Sequence, residues 1–229
     1  MSKVAIVQNI LAANERIAND IHQLLAGRQV CTINLMSSAG AGKTTLLEQT
    51  IKRLKGRLEI GVIEGDVETS ADAERIEAAG AQAVQIITQG TCHLEAHMVQ
   101  LALNELDLEP LDILFIENVG NLVCPAGWNL GEDLKIVVVS TTEGDDKPAK
   151  YPAMFAASTV MVINKLDLLP YVNYDLATVK KFALAVNPHL QIFELSSRTG
   201  EGLDAWCEWL QSMGRKGQRA PSLAQRVEF

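Results

Sequence analysis

No apolar run in this sequence approaches the roughly 20 residues that a membrane-spanning helix needs. The longest uncharged apolar stretch, near Met154 to Ile163, is broken by Ser158 and Thr159. The N-terminal MSKVAIVQNILAANER lacks an apolar segment followed by a small-residue cleavage site, so no secretory signal is read and a cytoplasmic location is expected. Positive charge is also short: 20 Lys and Arg stand against 28 Asp and Glu, a formal net charge of −8. That balance, with a pI near 5.1, excludes non-specific nucleic-acid binding through a basic face, and a phosphate ligand would need a local site. Cysteine is sparse. Cys31, Cys92, Cys124 and Cys207, in a chain without a signal peptide, are expected to be reduced, each a candidate for burial, metal binding or reactivity. No repeat, low-complexity tract or interdomain linker is present.

What the sequence has is short apolar runs, with apolar residues making up 48% of its 229 positions, enough for one α/β domain of ordinary size. Val7, Ile10, Leu11, Ile17, Ile21 and Leu24 follow a helical spacing, with Gly27 a candidate C′ residue, so residues 1–27 are expected to form an amphipathic helix packed on the main domain. From residue 28 to 211, strand patterns alternate with helix patterns. VCTINLM, LEIGVIE, AVQIIT, LDILFIE, LKIVVVS, TVMVIN and QIFELS read as strands, and segments such as HLEAHMVQLALNE, YDLATVKKFALAV and GLDAWCEWLQ read as helices. This order predicts βαβ units and a mostly parallel sheet covered by helices on both faces, with ligands at the carboxyl ends of the strands. Residues 212–229 read as a loosely held tail.

The first strand runs into Ser37-Ser38-Ala39-Gly40-Ala41-Gly42-Lys43-Thr44-Thr45 and then a helix, the setting a phosphate-binding loop requires. Small residues at Gly40, Ala41 and Gly42 let backbone N–H groups approach phosphates, Lys43 reaches the β- and γ-phosphates, and the Thr44 hydroxyl can ligate Mg²⁺. Ser37 stands where the motif has glycine, so a different turn shape is expected there. Asn164-Lys165-Leu166-Asp167 follows another strand. The Asp167 carboxylate can accept from the guanine N1–H and exocyclic amine, a donor pair that adenine lacks. Asn164 can bridge loops and contact the base, the Lys165 stem can lie over it, and Ser196 and Ser197 fall where a supporting base contact is expected. The two motifs together predict a GTP/GDP site.

Asp66 and Glu117 end two further strands, and carboxylates there suit Mg²⁺, directly or through water. The Gly120 N–H can meet a γ-phosphate. Asp66 and Asp72 are candidates for orienting the attacking water; Asp72 in DAER also suits the first turn of a helix after Ser70. No arginine finger is evident, so slow intrinsic turnover is expected. Cys31 and Cys207 read as buried small apolar residues. Cys92 and His93 follow Gly90 at a strand-to-helix boundary, and Cys124 follows the expected switch loop. Thiolate and imidazole suit Zn²⁺ or Ni²⁺. Adjacent Cys and His do not easily complete a tetrahedral site in one chain, so a metal shared across a two-fold axis is the simplest arrangement; an exposed cysteine beside a helix-capping histidine is the alternative. His97, one turn from His93, either joins the site or is solvated.

With GAGKTTLLEQT, GDVETSADAERI, QGTCHLEAHMV, ENVGNLVCPA, TTEGDDKPAKYP and NKLDL all in order, the chain resembles the hydrogenase nickel-incorporation GTPases, the hydrogenase maturation factor B family, from about Val30 to Leu210. The resemblance implies a SIMIBI-class P-loop GTPase that hydrolyses GTP and dimerises on binding it. It further implies nickel or zinc bound through Cys92, His93 and Cys124, and hydrolysis coupled to nickel transfer. The partners implied are a small zinc-containing nickel chaperone and the large-subunit precursor of a nickel-iron hydrogenase. The N-terminal Cys-rich motif and His-rich stretch of some members are not in this sequence, so no high-affinity N-terminal nickel site or storage role is expected.

Overall fold

The computed structural model describes residues 3–68 and 71–214, with side chains from Ile10 onward. The chain runs α1 (Lys3–Gly27), β1 (Cys31–Ser37), α2 (Lys43–Leu54), β2 (Ile60–Asp66), α3 (Ala71–Ala79), β3 (Gln82–Ile87), α4 (Ala96–Leu103) and β4 (Ile113–Glu117). It continues through β5 (Leu134–Ser140), α5 (Lys147–Lys150), α6 (Pro152–Ala157), β6 (Val160–Asn164), α7 (Leu176–Val186), β7 (Gln191–Glu194) and α8 (Leu203–Met213). All seven strands are parallel, in the order β3-β2-β4-β1-β5-β6-β7. α8 runs to Met213 and so takes in the first two residues of the expected tail, and residues 215–229 lie outside the described part.

Strand alternation sorts the core into two faces. Ile113 and Phe115 of β4 pack with Leu46 and Ile51 of α2, Ile76 of α3 and Trp206 of α8, whereas Leu114 and Ile116 pack with Ile21 of α1 and Val99 of α4. On that second face, Val137 and Val139 of β5 meet Phe155 of α6 and Val179 of α7. Cys31 and Cys207 are buried in the first cluster. Among the described residues, no helix is long and apolar enough to cross a membrane.

Two helix boundaries differ from the sequence reading, each for a local reason. α1 keeps Gly27 in the helix, and its left-handed C′ residue is Gln29 (φ 59°), with the Val30 N–H returning to the Leu25 carbonyl at 3.0 Å. α4 starts only at Ala96. The Leu94 N–H is taken by Asn118 Oδ1 at 3.2 Å and the Ala96 N–H by Asn14 Oδ1 at 2.8 Å, so α1 caps α4 and His93 stays in the preceding loop.

A nucleotide cleft and a neighbouring thiol–imidazole cluster

β1, β2, β4 and β6 end at one edge of the sheet, where Ser37, Asp66, Glu117 and Asn164 are the last strand residues. The loop Ser38–Gly42 turns from β1 into α2, with Gly40 (φ 74°) and Gly42 (φ 97°) left-handed. Gly42 has a second constraint, because a Cβ there would sit 2.6 Å from Asn164 Nδ2. Ser37 keeps a negative φ, so serine costs no strain at the position where the motif has glycine. Its hydroxyl accepts from Lys43 Nζ at 3.0 Å. Lys43 also lies 3.7 Å from Glu117 Oε1, which accepts from Thr44 Oγ1 at 2.9 Å. Gly120 packs directly on the loop: a Cβ would lie 2.8 Å from Ala39 Cα, so only glycine brings its N–H this close.

These residues line a cleft of about 440 Å³ that also takes in Thr45, Asp66, Asp72 and Lys165. Asp66 Oδ1 accepts the Glu68 N–H at 2.8 Å, and Ser70, before α3, lies outside the described residues. Two groups, one buried behind the cleft and one lining it, were not legible in the sequence. Glu64 stands opposite Glu117 in the β2–β4 register and is almost fully buried. Burial first, and then the Glu117 charge, push its carboxyl up to about 10. A neutral Glu64 can therefore donate to Glu117, whose own carboxyl is raised by burial and held back by Lys43 and Thr44. The second is Arg75 of α3, whose guanidinium lines the cleft and bonds Asp72, Thr45 and Glu48.

Beside this cleft lies one of about 450 Å³ lined by Gly42, Thr45, Asn164, Lys165, Asp167 and Ser197, together with Gln49, Leu168 and Arg198, which sequence reading did not single out. Asn164 ties it together. Its Nδ2 donates to the Ala41 carbonyl at 3.0 Å, and its Oδ1 accepts from the Lys165 N–H and from the Ser197 N–H and hydroxyl. Lys165 is left-handed (φ 62°) and reaches the Gly40 carbonyl at 2.6 Å, so its stem lies between the two loops. Ser196 Oγ donates to Asp167 Oδ1 at 2.6 Å. The two serines thus support Asp167 and Asn164.

On the other side of Glu117, the structure brings Cys92, His93 and Cys124 together within one chain, their ligand atoms all within 4.8 Å of one another. The two Sγ atoms are 2.8 Å apart, and Cys92 Sγ lies 3.7 Å from His93 Nδ1. A tight turn with left-handed Gln89 and Gly90 delivers Cys92 and His93, while Asn121 Oδ1 accepts the Val123 and Cys124 N–H groups. Trp128, also missed from sequence, stacks on the His93 ring at 4.5 Å and 24°. Burial lowers the His93 pKa against the opposing Glu95 charge, and Cys92 raises that of Cys124. His97 stays outside the cluster, half exposed and paired with Glu95 at 3.3 Å. Two soft thiols and an imidazole suit a thiophilic divalent ion and leave one tetrahedral position to fill.

Residues 30–194 match the family model described as CobW/HypB/UreG, nucleotide-binding domain. The chain is 50% identical over 224 residues to the hydrogenase maturation factor HypB of Rhizobium leguminosarum bv. viciae, covering 96% of this chain and 75% of that one. Among solved structures, it is similar to HypB from Archaeoglobus fulgidus (TM-score 0.84, 39% identity, 90% of this chain and all of that one). It is also similar to HypB from Helicobacter pylori, crystallised in complex with nickel (TM-score 0.86, 36% identity, 95% of this chain and 100% of that one).

Proposed function

The chain belongs to the HypB hydrogenase maturation factors within the CobW/HypB/UreG nucleotide-binding family, and from that premise we propose that it is a Mg²⁺-dependent GTPase that delivers nickel to a hydrogenase precursor. The observation that carries this reading is the sharing of one loop by two sites. Glu117 and Gly120 border the phosphate cleft, and Cys124, four residues beyond Gly120, joins Cys92 and His93. A γ-phosphate that moves Gly120 therefore moves a metal ligand.

In this reading Lys43 and the backbone of Gly40 to Thr45 hold the phosphates, while Asp167, supported by Ser196, selects guanine. Asn164 and Lys165 fasten the base loop to the phosphate loop. Thr44, Asp66 and Glu117 would hold Mg²⁺. Glu117 fits that ion, since its buried Oε2 has no hydrogen-bond partner among the described residues. Bound there, Mg²⁺ would neutralise charge developing on the phosphates. Asp66 and Asp72, which line the cleft, are the candidates to orient the attacking water.

Nickel is the cargo, held by Cys92, His93 and Cys124, with Zn²⁺ a competitor for the same donors. GTP-dependent homodimerisation would supply the missing ligand. The partners proposed are a small zinc-containing nickel chaperone and the hydrogenase large-subunit precursor, both met in the cytoplasm. Residues 28–211 would make up the GTPase domain with its metal site, on which α1 (Lys3–Gly27) packs through Ile21 and Leu25. The reading is tested by nickel stoichiometry and GTP turnover measured together. A GTP analogue that changes neither nickel affinity nor oligomeric mass, relative to GDP, would leave only a GTPase or only a metal-binding protein.

A further inference from the structure

The phosphate cleft is poor in cations for what it has to hold. Lys43 is engaged by Ser37 and Glu117, and Lys165 points its ammonium at the Gly40 carbonyl. The acids Asp66, Asp72 and Glu117 line the same space. A polyphosphate entering there needs positive charge from another wall, and Arg75 on α3 stands on it. Its Nη2 donates to Thr45 Oγ1 at 3.2 Å and to Glu48 Oε2 at 2.6 Å, and its Nη1 to Asp72 Oδ1 at 2.9 Å. Thr45 borders both the phosphate cleft and the base cleft, so the guanidinium bonded to it stands on the wall of the first cleft beside the junction of the two. An arginine has five N–H donors in a planar fork, and the three bonds here leave two for an incoming oxygen.

We propose that Arg75 is a phosphate-contacting residue of the nucleotide site, a cation supplied in cis from α3 opposite the phosphate loop, which the sequence pattern alone did not disclose. The inference rests on the GTPase reading above. Glu48 and Asp72 hold the side chain at the cleft before nucleotide arrives, so the contact costs little side-chain ordering. Because one of its tethers is Asp72, phosphate binding also competes for the group that fixes that acid, and α3 acquires a dependence on which nucleotide is bound.

The test compares wild type, Arg75→Ala and Arg75→Lys in affinity for GMP, GDP and a non-hydrolysable GTP analogue, with GTP turnover and thermal unfolding in parallel. The expected result for Arg75→Ala is a loss of affinity for GDP and the GTP analogue on the order of ten- to a hundred-fold, the size of a charged hydrogen bond. GMP affinity should be much less affected, turnover should fall, and Arg75→Lys should recover only part of the loss. Equal losses for all three nucleotides would overturn the proposal in favour of a structural role through Glu48 and Asp72. Unchanged GDP and analogue affinities would overturn it outright. Failure of wild type to bind GDP or the analogue would instead refute the GTPase reading beneath it.

Discussion

Asn118 Oδ1 accepts the backbone N–H of Leu94 at 3.2 Å, and this bond joins the loop that borders the first cleft to the loop that carries Cys92 and His93. Asn118 follows Glu117 directly, is buried, and also donates from Nδ2 to Asn34 Oδ1 of β1 at 3.2 Å. The side chain is thus a fixed strut between two elements that nucleotide and metal would each bias.

Replacing it should therefore uncouple the two sites. In Asn118→Ala, nickel and GTP are each expected to bind still, while the ratio of nickel affinities in a GTP analogue and in GDP collapses towards one. Couplings of this kind are typically about 1–3 kcal/mol. Isothermal titration of nickel in both nucleotide states measures it. A ratio unchanged from wild type would assign the coupling elsewhere.

Guanine selectivity should follow Asp167. With Ser196 Oγ on its Oδ1 at 2.6 Å, the carboxylate is held facing the second cleft. Asp167→Asn exchanges an acceptor for a donor and is expected to shift preference from GTP towards xanthosine triphosphate by at least ten-fold, on the scale of a well-placed polar discrimination. Competition binding with the two triphosphates decides it.

The parts of the site that were legible in the sequence are those whose chemistry is contiguous. Gly40 to Thr45, Asn164 to Asp167 and the Cys92-His93 pair each deliver their groups from a few consecutive residues at a strand end. Glu64 was not legible, because VIEGD reads as an ordinary strand end and only the β2–β4 register sets its carboxyl against Glu117. Arg75 looks like a surface helix residue until α3 packs beside α2, and Trp128 meets His93 only through the short turn after Cys124. Periodicity sets His93 at a helix start because it cannot register that Asn118 removes the Leu94 N–H from helical bonding.

Glu64 gives a pH prediction. Its carboxyl is raised from an ordinary 4.5 to about 10 in the fold, so its contribution to stability is complete below 4.5. That contribution is lost as pH rises towards 10, because the unfolded chain ionises first. Glu64→Gln keeps a neutral donor beside Glu117 without that loss. In nucleotide-free, metal-free protein, the variant is expected to unfold at a higher temperature than wild type at pH 8 and to show a flatter dependence from pH 5 to 9, an effect of about 1 kcal/mol or more. Parallel wild-type and variant curves would mean that Glu64 is ionised in the fold.

The metal cluster gives the last prediction. One chain brings two thiols and an imidazole within 4.8 Å, and a tetrahedral ion needs a fourth ligand, from water or from a second chain. Val123, next to Cys124 in the chain, is an exposed apolar side chain. A second copy that supplied the fourth ligand would complete the site, so metal and dimer should be linked thermodynamically. Protons compete with the ion in two ways. Cys124 holds its proton above the ordinary thiol range because Cys92 is beside it, so binding must release protons and affinity falls as pH drops. His93 opposes this trend, since burial keeps its imidazole neutral below the usual 6.5 and preserves one ligand into mildly acidic solution. Nickel affinity measured from pH 6 to 8, with mass followed by light scattering, should therefore fall steeply with acid through thiol protonation and show nickel promoting the dimer. Cys92→Ala and Cys124→Ala should each lose affinity by about ten-fold or more, the lower range for disturbing a metal shell. One nickel per monomer, with equal affinity in either single variant and no change in mass, would rule out the shared thiolate site.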